Sequence, residues 1–343
     1  MTGFRDNPLT NSAIVPMRAV LVPNPGPPED MTIGTVPTPE PGPEEVLVQV
    51  HATALNRADT FQRQGHYPPP DGASEILGLE MAGTVAATGG DVLDWHENDR
   101  VFALLDGGGY AEYTTVHKDR LMAVPPGMSM QEAAAVPEVF LTAYQALHWL
   151  GGLQAGHHVL IHAGASGVGT AALQLVRRAE AYPYATASAP KHEVCRDLGA
   201  EATIDYEQED FAARIAAITD ERGVDLILDF IGATYFHKNV DSLALDGRIV
   251  QLATLGGSTV EEVSLRALMA KRAQLLASTL RSRSLAYKVQ LTQEFASDVL
   301  PHFIDGQLRP VIDSVYDWTD VADAHRRMEN NENAGKIVLS VID

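Results

Sequence analysis

Residues His162-Ala163-Gly164-Ala165-Ser166-Gly167-Val168-Gly169 carry the strongest chemical signal in the chain. They end a short apolar run, His158 to Ala163, and open a segment with helical character, Val168 to Ala179. Small residues at such a junction let the backbone approach a pyrophosphate. The free N–H groups of the helix start then point at the anion with the helix dipole behind them. Gly164 and Gly169 fit the outer positions of the dinucleotide fingerprint, Ser166 takes the middle one, and Gly167 comes one residue later. A tight strand-to-helix turn with no ligand could show the same glycines, so the assignment leans on the residues beyond the loop.

Dinucleotide choice is read at the end of the next strand, where an acid accepts from the ribose hydroxyls in NAD-binding versions. Here the segment runs Ala185-Thr186-Ala187-Ser188-Ala189-Pro190-Lys191-His192 and contains no acid. Hydroxyl residues such as Ser188 lead instead to Lys191, which suits a 2′-phosphate. A lysine at a helix start is often simply solvated, yet that position disfavours a cation unless an anion is near. Tyr206, after the third strand, offers a second hydrogen bond. The expected cofactor is NADP(H).

Other chemistries find little support. The single cysteine, Cys195, forbids an internal disulfide and a four-cysteine zinc site. The 12 histidines show no metalloprotease spacing. His157 and His158 are adjacent before a strand, and His148 reads as a packed or surface helix residue. Ser166 lies in the phosphate loop and fits a ligand role better than a nucleophile's. No metal is expected.

The loop needs a strand before it and a helix after it, and the surrounding pattern supplies both. From His158 to about Leu280, apolar strand-like runs alternate with helical ones, the signature of a doubly wound parallel sheet. Before Met130 the chain is irregular and β-rich. Strands are expected at Met17–Val22, Glu45–Ala52, Ile76–Thr88 and Asp99–Leu104, separated by Pro- and Gly-rich segments. After Ser284 come a long helix, a strand near Val311–Tyr316, a helix near Asp320–Met328 and a last strand, Lys336–Val341. The expected fold is α/β: a Rossmann unit, residues 138–280, inserted between segments 17–137 and 281–343. Residues 1–16 read as a loose N-terminal extension. Pattern alone leaves open whether the flanking segments join in space.

Length and charge frame this reading. A chain of 343 residues favours two domains. The 45 acids against 25 Lys and Arg give a formal charge of −20. Such a surface repels nucleic acid and anionic lipid, so neither is an expected partner. Solubility is the plain reading of the acidity and adaptation to high salt a sharper one. No apolar run is long enough to span a bilayer, and Met1–Pro16, with no basic start followed by an apolar run, does not read as a secretory signal. The expected location is the cytoplasm.

Several segments together resemble a known family. They are Ala54-Leu55-Asn56-Arg57-Ala58-Asp59, Arg63-Gln64-Gly65-His66-Tyr67-Pro68-Pro69-Pro70, Ile76-Leu77-Gly78-Leu79-Glu80 and Leu141-Thr142-Ala143-Tyr144. The phosphate loop, Leu243-Ala244-Leu245-Asp246-Gly247-Arg248, Leu280-Arg281-Ser282-Arg283 and Gly335-Lys336-Ile337-Val338-Leu339 complete the set. The chain resembles the quinone oxidoreductase branch of the medium-chain dehydrogenase/reductase superfamily. Within that branch it is most similar to the tumour-suppressor-inducible subgroup and more distantly to zeta-crystallin. The resemblance spans nearly everything after Met17. It implies that both chain ends build a GroES-like β domain around the Rossmann domain, with the cofactor in the cleft. It also implies that Asn56, Tyr67 and Thr142 line the nicotinamide end and that Ser166, Gly167 and Val168 hold the pyrophosphate. Lys191 and Tyr206 would hold the 2′-phosphate, while backbone near Ile231, Leu255, Leu280 and Ser282, with Asn333, completes the site. Zinc-dependent relatives carry cysteine where Asn56 falls and histidine where Leu79 falls, which agrees with the composition. The subgroup has Gly-Ser where this chain has Ser188-Ala189, so one hydroxyl donor is lost or moved while Lys191 and Tyr206 remain.

Without a strong Lewis acid the acceptor must already be electrophilic, a quinone or an enone polarised by hydrogen bonds. Tyr67 and Asn56 are the catalytic candidates to orient it and steady developing oxygen charge; Tyr67 serves equally well as an aromatic cap on the cofactor. No general acid stands out. An enone or enoyl-thioester reductase is the rival enzyme. A cofactor-binding protein of low turnover, with a structural or regulatory role, is the rival class. The resemblance further implies a homodimer, through the sheet edge around Val263–Thr279.

Overall fold

The computed structural model describes residues 16–342. Apart from Pro16, the expected N-terminal extension lies outside the described residues. In chain order the strands begin with β1 (Pro16–Leu21), β2 (Thr32–Pro37), β3 (Glu45–Ala54), β4 (Glu80–Thr88), β5 (Arg100–Leu104), β6 (Tyr113–His117) and β7 (Met122–Ala123). The middle of the chain supplies β8 (His158–Ile161), β9 (Tyr182–Ala187), β10 (Ala202–Asp205), β11 (Val224–Asp229), β12 (Leu243–Gln251) and β13 (Gln274–Ala277). Last come β14 (Ile312–Asp317) and β15 (Lys336–Ser340). Four helices matter most for the site: α1 (Arg57–Arg63), α2 (Met130–Ala134), α3 (Pro137–Tyr144) and α4 (Gly167–Arg178).

The six middle strands form one parallel sheet in the order β10-β9-β8-β11-β12-β13. Val159, Leu160 and Ile161 of β8 are fully buried, as a central parallel strand covered on both faces requires. The chain leaves β8 toward β9 on one side and returns to β11 on the other. Strand order therefore reverses between β8 and β11, which opens a crevice at their carboxyl ends.

The second sheet runs β14-β15-β3-β4-β5-β7, with β6 on β3. Along β3 the side chains of Val46, Val48, Val50 and Ala52 are buried in strict alternation, the period of a half-covered strand. β15 lies antiparallel to β3, with Val338 opposite Ala54 and Ser340 opposite Ala52. The two chain ends thus share one β-rich, GroES-like domain. A single apolar cluster runs from Ala52, Ala82 and Phe102 through Phe140 and Leu141 of α3 to Leu173 and Val176 of α4. α3 is the shared beam between the two layers. Pro137 opens it, where a missing N–H costs nothing.

The local pattern misplaced one strand start. Residues 76–79, expected within a strand, form a loop, and β4 begins at Glu80. Gly78 causes the break: its φ is +100°, and a Cβ there would lie 2.7 Å from Gly109 Cα and Tyr110 N. That turn aims the Gly78 N–H at Asp59 Oδ1, 3.1 Å away. β2 and the short helix α1 were also absent from the pattern-based expectation. Among the described residues, no helix is long and apolar enough to cross a membrane.

Candidate active site

A cleft of about 650 Å³ lies between the two sheets, lined at its floor by Ala163, Ala165, Ser166, Gly167 and Val168. Ser166 caps α4, its Oγ accepting from Gly169 N at 3.1 Å. Helix geometry leaves the N–H groups of Gly167 and Val168 without carbonyl partners inside the helix. The glycines are required by space. A Cβ on Gly164 would meet Ala185 Cβ at 2.6 Å, one on Gly167 would meet Val139 Cγ1 at 2.8 Å, and one on Gly169 would meet Ala163 O at 2.4 Å. The floor is therefore bare backbone at a helix start, the surface that a pyrophosphate needs. Gly335 (φ +89°) docks against it, donating to Ala165 O at 2.8 Å and bridging Ser166, so the entry to β15 closes one wall.

A buried polar chain supports the floor. Thr186 Oγ1 pairs with His162 Nδ1 at 3.0 Å, and His162 Nε2 with Asn239 Oδ1 at 2.7 Å. Asn239 Nδ2 then donates to Asp229 Oδ2 at 2.9 Å. The other Asp229 oxygen accepts from Ile231 N at 2.6 Å and Gly232 N at 3.1 Å, which shapes the loop that lines the cleft after β11. Burial holds the His162 imidazole below its usual range, outweighing the opposing pull of Asp229.

Cations gather at the outer end. Lys191 Nζ donates to the carbonyls of Asn331 (2.6 Å) and Asn333 (2.8 Å), and Arg57 Nη2 donates to Asn331 Oδ1 at 2.7 Å. Both line the cleft, with Ser188 and Tyr206 beside Lys191. Among the described residues neither forms an ion pair. Partial burial lowers the pKa of each; for Lys191, Asp313 pulls the other way and Arg57 adds to the depression. An anion seated between them would relieve that repulsion.

At the inner end a charged cluster is fully ordered. Lys336 Nζ has three protons and three acceptors: Leu55 O at 2.6 Å, Asn56 Oδ1 at 2.6 Å and Glu80 Oε1 at 2.7 Å. Asn56 Nδ2 donates to Glu80 Oε1 at 2.9 Å and Ala54 O at 3.3 Å. Glu80 Oε2 accepts the backbone N–H of Glu138 at 2.8 Å. Asp59 accepts from Asn56 N at 2.8 Å and Gly78 N at 3.1 Å, yet complete burial still pushes its carboxyl up to about 6. Arg281 stacks over Tyr67 with its Cζ 5.4 Å from the ring centre. Burial first, then the charge of Glu138, raises the Tyr67 hydroxyl above its usual range, while Arg281 opposes.

The cleft brings together many of the residues singled out in the sequence: Asn56, Ser166, Gly167, Val168, Ser188, Lys191, Tyr206, Ile231, Leu255 and Asn333. Gly164 and Gly169 pack behind the loop as spacers. Tyr67 lies outside the lining, against Arg281, and Leu280 and Ser282 lie outside it near the same segment. Thr142 also lies outside, with a buried Oγ1 that has no hydrogen-bond partner. Three polar contributors were missed. Arg57 is adjacent to Asn56 in sequence but announces no ligand by pattern. Asp229 ends a strand and precedes Gly232, a turn signal that reads as structural. Glu138 comes directly after Pro137 and looks like an ordinary helix-start acid.

This architecture and its floor have recognised counterparts. The "alcohol dehydrogenase GroES-like domain" model matches residues 42–126, and the "zinc-binding dehydrogenase" model matches residues 198–339. The chain is 35% identical over 315 residues to the synaptic vesicle membrane protein VAT-1 homolog of Rattus norvegicus, covering 88% of this chain and 78% of that protein. Among solved structures, a Pseudomonas syringae quinone oxidoreductase superposes with a TM-score of 0.84 at 30% identity, covering 94% of this chain and 99% of that one. A mycobacterial protein in complex with NADPH also gives a TM-score of 0.84, at 28% identity and with the same coverage. The class is a two-domain oxidoreductase scaffold with a dinucleotide cleft. The chain belongs to the medium-chain dehydrogenase/reductase superfamily.

Replacing Lys336 by Met leaves the buried Glu80 carboxylate, with 0% of its side chain exposed, without its cation. We expect a loss of about 3–5 kcal/mol in stability, read as a lowered urea midpoint at neutral pH. An unchanged midpoint would show that this pair does not hold the inner end together.

Proposed function

We propose that the chain is a reductase that takes NADPH in this cleft and passes reducing equivalents to quinones without zinc. The carrying observation is the pair of cations, Lys191 and Arg57, that face the cleft with no carboxylate partner among the described residues. In a chain of net charge −20, two cations held open beside a bare phosphate-binding floor point to an anionic ligand. A 2′-phosphate at Lys191, Arg57 and Tyr206 matches them, and the turn at residues 188–192 after β9 holds no acid to claim a ribose hydroxyl.

Gly167 and Val168 N–H groups would hold the pyrophosphate. Thr142, behind the lining, has a buried Oγ1 with no partner that would serve the nicotinamide amide only if the ring reaches past the lining. Bound there, NADPH supplies hydride. The residues do the rest: Val139 and Leu55 wall the inner end with apolar surface, and Tyr67 caps the approach from the side of Arg281. Zinc independence has a physical basis in Lys336. Its ammonium sits 2.6 Å from Asn56 Oδ1 and 2.7 Å from Glu80 Oε1, so a divalent ion beside those groups would face like charge. Among the described residues no group of His, Cys, Asp and Glu is arranged to hold a metal.

We also infer a homodimer. β13 is one of the two edges of the parallel sheet, and Val263, Leu265, Met269 and Leu275 near it are exposed. Such a patch is commonly an interface. The Leu265→Glu/Met269→Glu double variant is expected to sediment as a monomer where the parent sediments as a dimer. A monomeric parent rejects the interface.

The cofactor reading predicts that Lys191→Ala weakens NADPH binding about tenfold or more in fluorescence titration while NADH binding changes little. Equal effects on both cofactors would place Lys191 away from the 2′-phosphate. For the reaction itself, oxidation of NADPH should proceed with ortho- and para-quinones and survive a chelator. Turnover of simple enones alone would make the chain an enone reductase. Tight NADPH binding with no turnover of either acceptor class would leave a cofactor-binding protein.

A further inference from the structure

We propose that Glu138 is the proton donor of this reaction, giving its carboxyl proton to the acceptor oxygen at the inner end of the cleft. The proposal rests on the reductase reading above and names the residue that completes it.

Placement comes first. Pro137 fixes the first turn of α3, and the Glu138 N–H is pinned to Glu80 Oε2 at 2.8 Å. Glu80 in turn holds Lys336 and Asn56, both of which line the cleft. The next residue, Val139, forms the cleft wall against Gly167. Glu138 itself is not among the lining residues; it stands just behind them at the inner end, on the side of Tyr67 and Arg281, both of which feel its charge.

Its carboxyl is uncommitted. No hydrogen bond or ion pair within the described residues holds it, and its residue keeps some exposure where Glu80 and Asp59 have none. The surrounding charges come from three elements and a loop. Glu80 on β4 and Asp59 on α1 disfavour a second negative charge, whereas Lys336 on β15 and Arg281 ahead of the long helix Leu285–Asp298 favour one. Burial is the largest influence, Glu80 the next, and together they push the carboxyl up to about 8. The group therefore carries its proton at neutral pH, as an acid catalyst must.

The neighbours cannot do the same work. All three Lys336 protons are engaged, and both Asn56 amide protons are engaged. The Tyr110 hydroxyl is buried against Asp59 and His325. The Tyr67 hydroxyl is a weaker acid still, raised by burial.

The step balances simply. With hydride supplied by the bound cofactor, the O–H bond of Glu138 would break as an O–H bond forms on the acceptor oxygen. The bonding pair stays on Glu138 as carboxylate, which Lys336 and Arg281 favour until water returns a proton.

Glu138→Gln keeps the shape and removes the acid. With NADPH and the quinone and enone panel, the parent's kcat should fall as pH rises through about 8, since the protonated form is the active one. The variant should lose about 100-fold in kcat at neutral pH, lose that limb, and bind NADPH unchanged. A second measurement needs no turnover. A group whose folded pKa is raised binds its proton in the folded state between about 4.5 and 8, so its stability contribution is lost as pH rises across that window. The parent should thus lose stability relative to the Gln variant from pH 4.5 to 8 in urea titrations. A difference flat with pH overturns the proposal, as does a variant with parental kcat and limb. If the parent reduces no acceptor while the stability difference tracks pH, the reductase reading falls and the donor role falls with it.

Discussion

Removing a charge from water is expensive, and among its buried ionisable groups this protein sets Lys336 and Glu80 in direct contact, 2.7 Å apart. Much of the active region is dictated by satisfying them. The ammonium needs three acceptors, so β15 must lie where Leu55 O and Asn56 Oδ1 can meet it. The carboxylate needs donors for both oxygens. It takes Asn56 at the start of α1 and the backbone N–H of Glu138 at the start of α3. One ion pair thereby fixes the relative positions of the C-terminal strand, the N-terminal sheet and the beam that enters the parallel domain.

Electrostatics also sorts the cleft into two ends. Toward the outside, Lys191 and Arg57 hold positive charge open against the acidity of the whole chain. Toward the inside, Lys336 is matched by Glu80 and the Glu138 carboxyl keeps its proton at neutral pH, so little net charge is left over. A dinucleotide needs that asymmetry, with an anionic tail and a nearly neutral reactive ring. The polar chain from Thr186 through His162 and Asn239 to Asp229 holds the floor rigid between the ends without adding a free charge.

Much of the fold was legible in the sequence because its signals are local. The alternation in β3, the apolar run of β8 and the glycine turn after it depend on neighbours within a few residues. The loop at Gly78 was misread because its left-handed turn sits inside an apolar run that otherwise looks like strand. At the site, the phosphate loop and Lys191 were visible for the same local reasons. Arg57 and Glu138 were not, since their roles come from partners distant in sequence: Asn331 for one and Glu80 for the other. Asn56 was singled out by resemblance, but its amide is tied on both sides to Lys336 and Glu80. That bonding came from contacts no spacing rule contains.

The meeting of Lys336 with Leu55, 281 residues apart, has a consequence for how the molecule is made. As the chain leaves the ribosome, β8 to β13 can pair with strands already at hand, and the parallel sheet can form as it emerges. The N-terminal sheet cannot finish then. Until β15 emerges, β3 keeps an open edge at residues 52–54, and Glu80 waits without its cation. The N-terminal sheet is therefore completed after the parallel sheet that follows it in the chain, and the nascent chain carries that short unfilled edge of β3 until then.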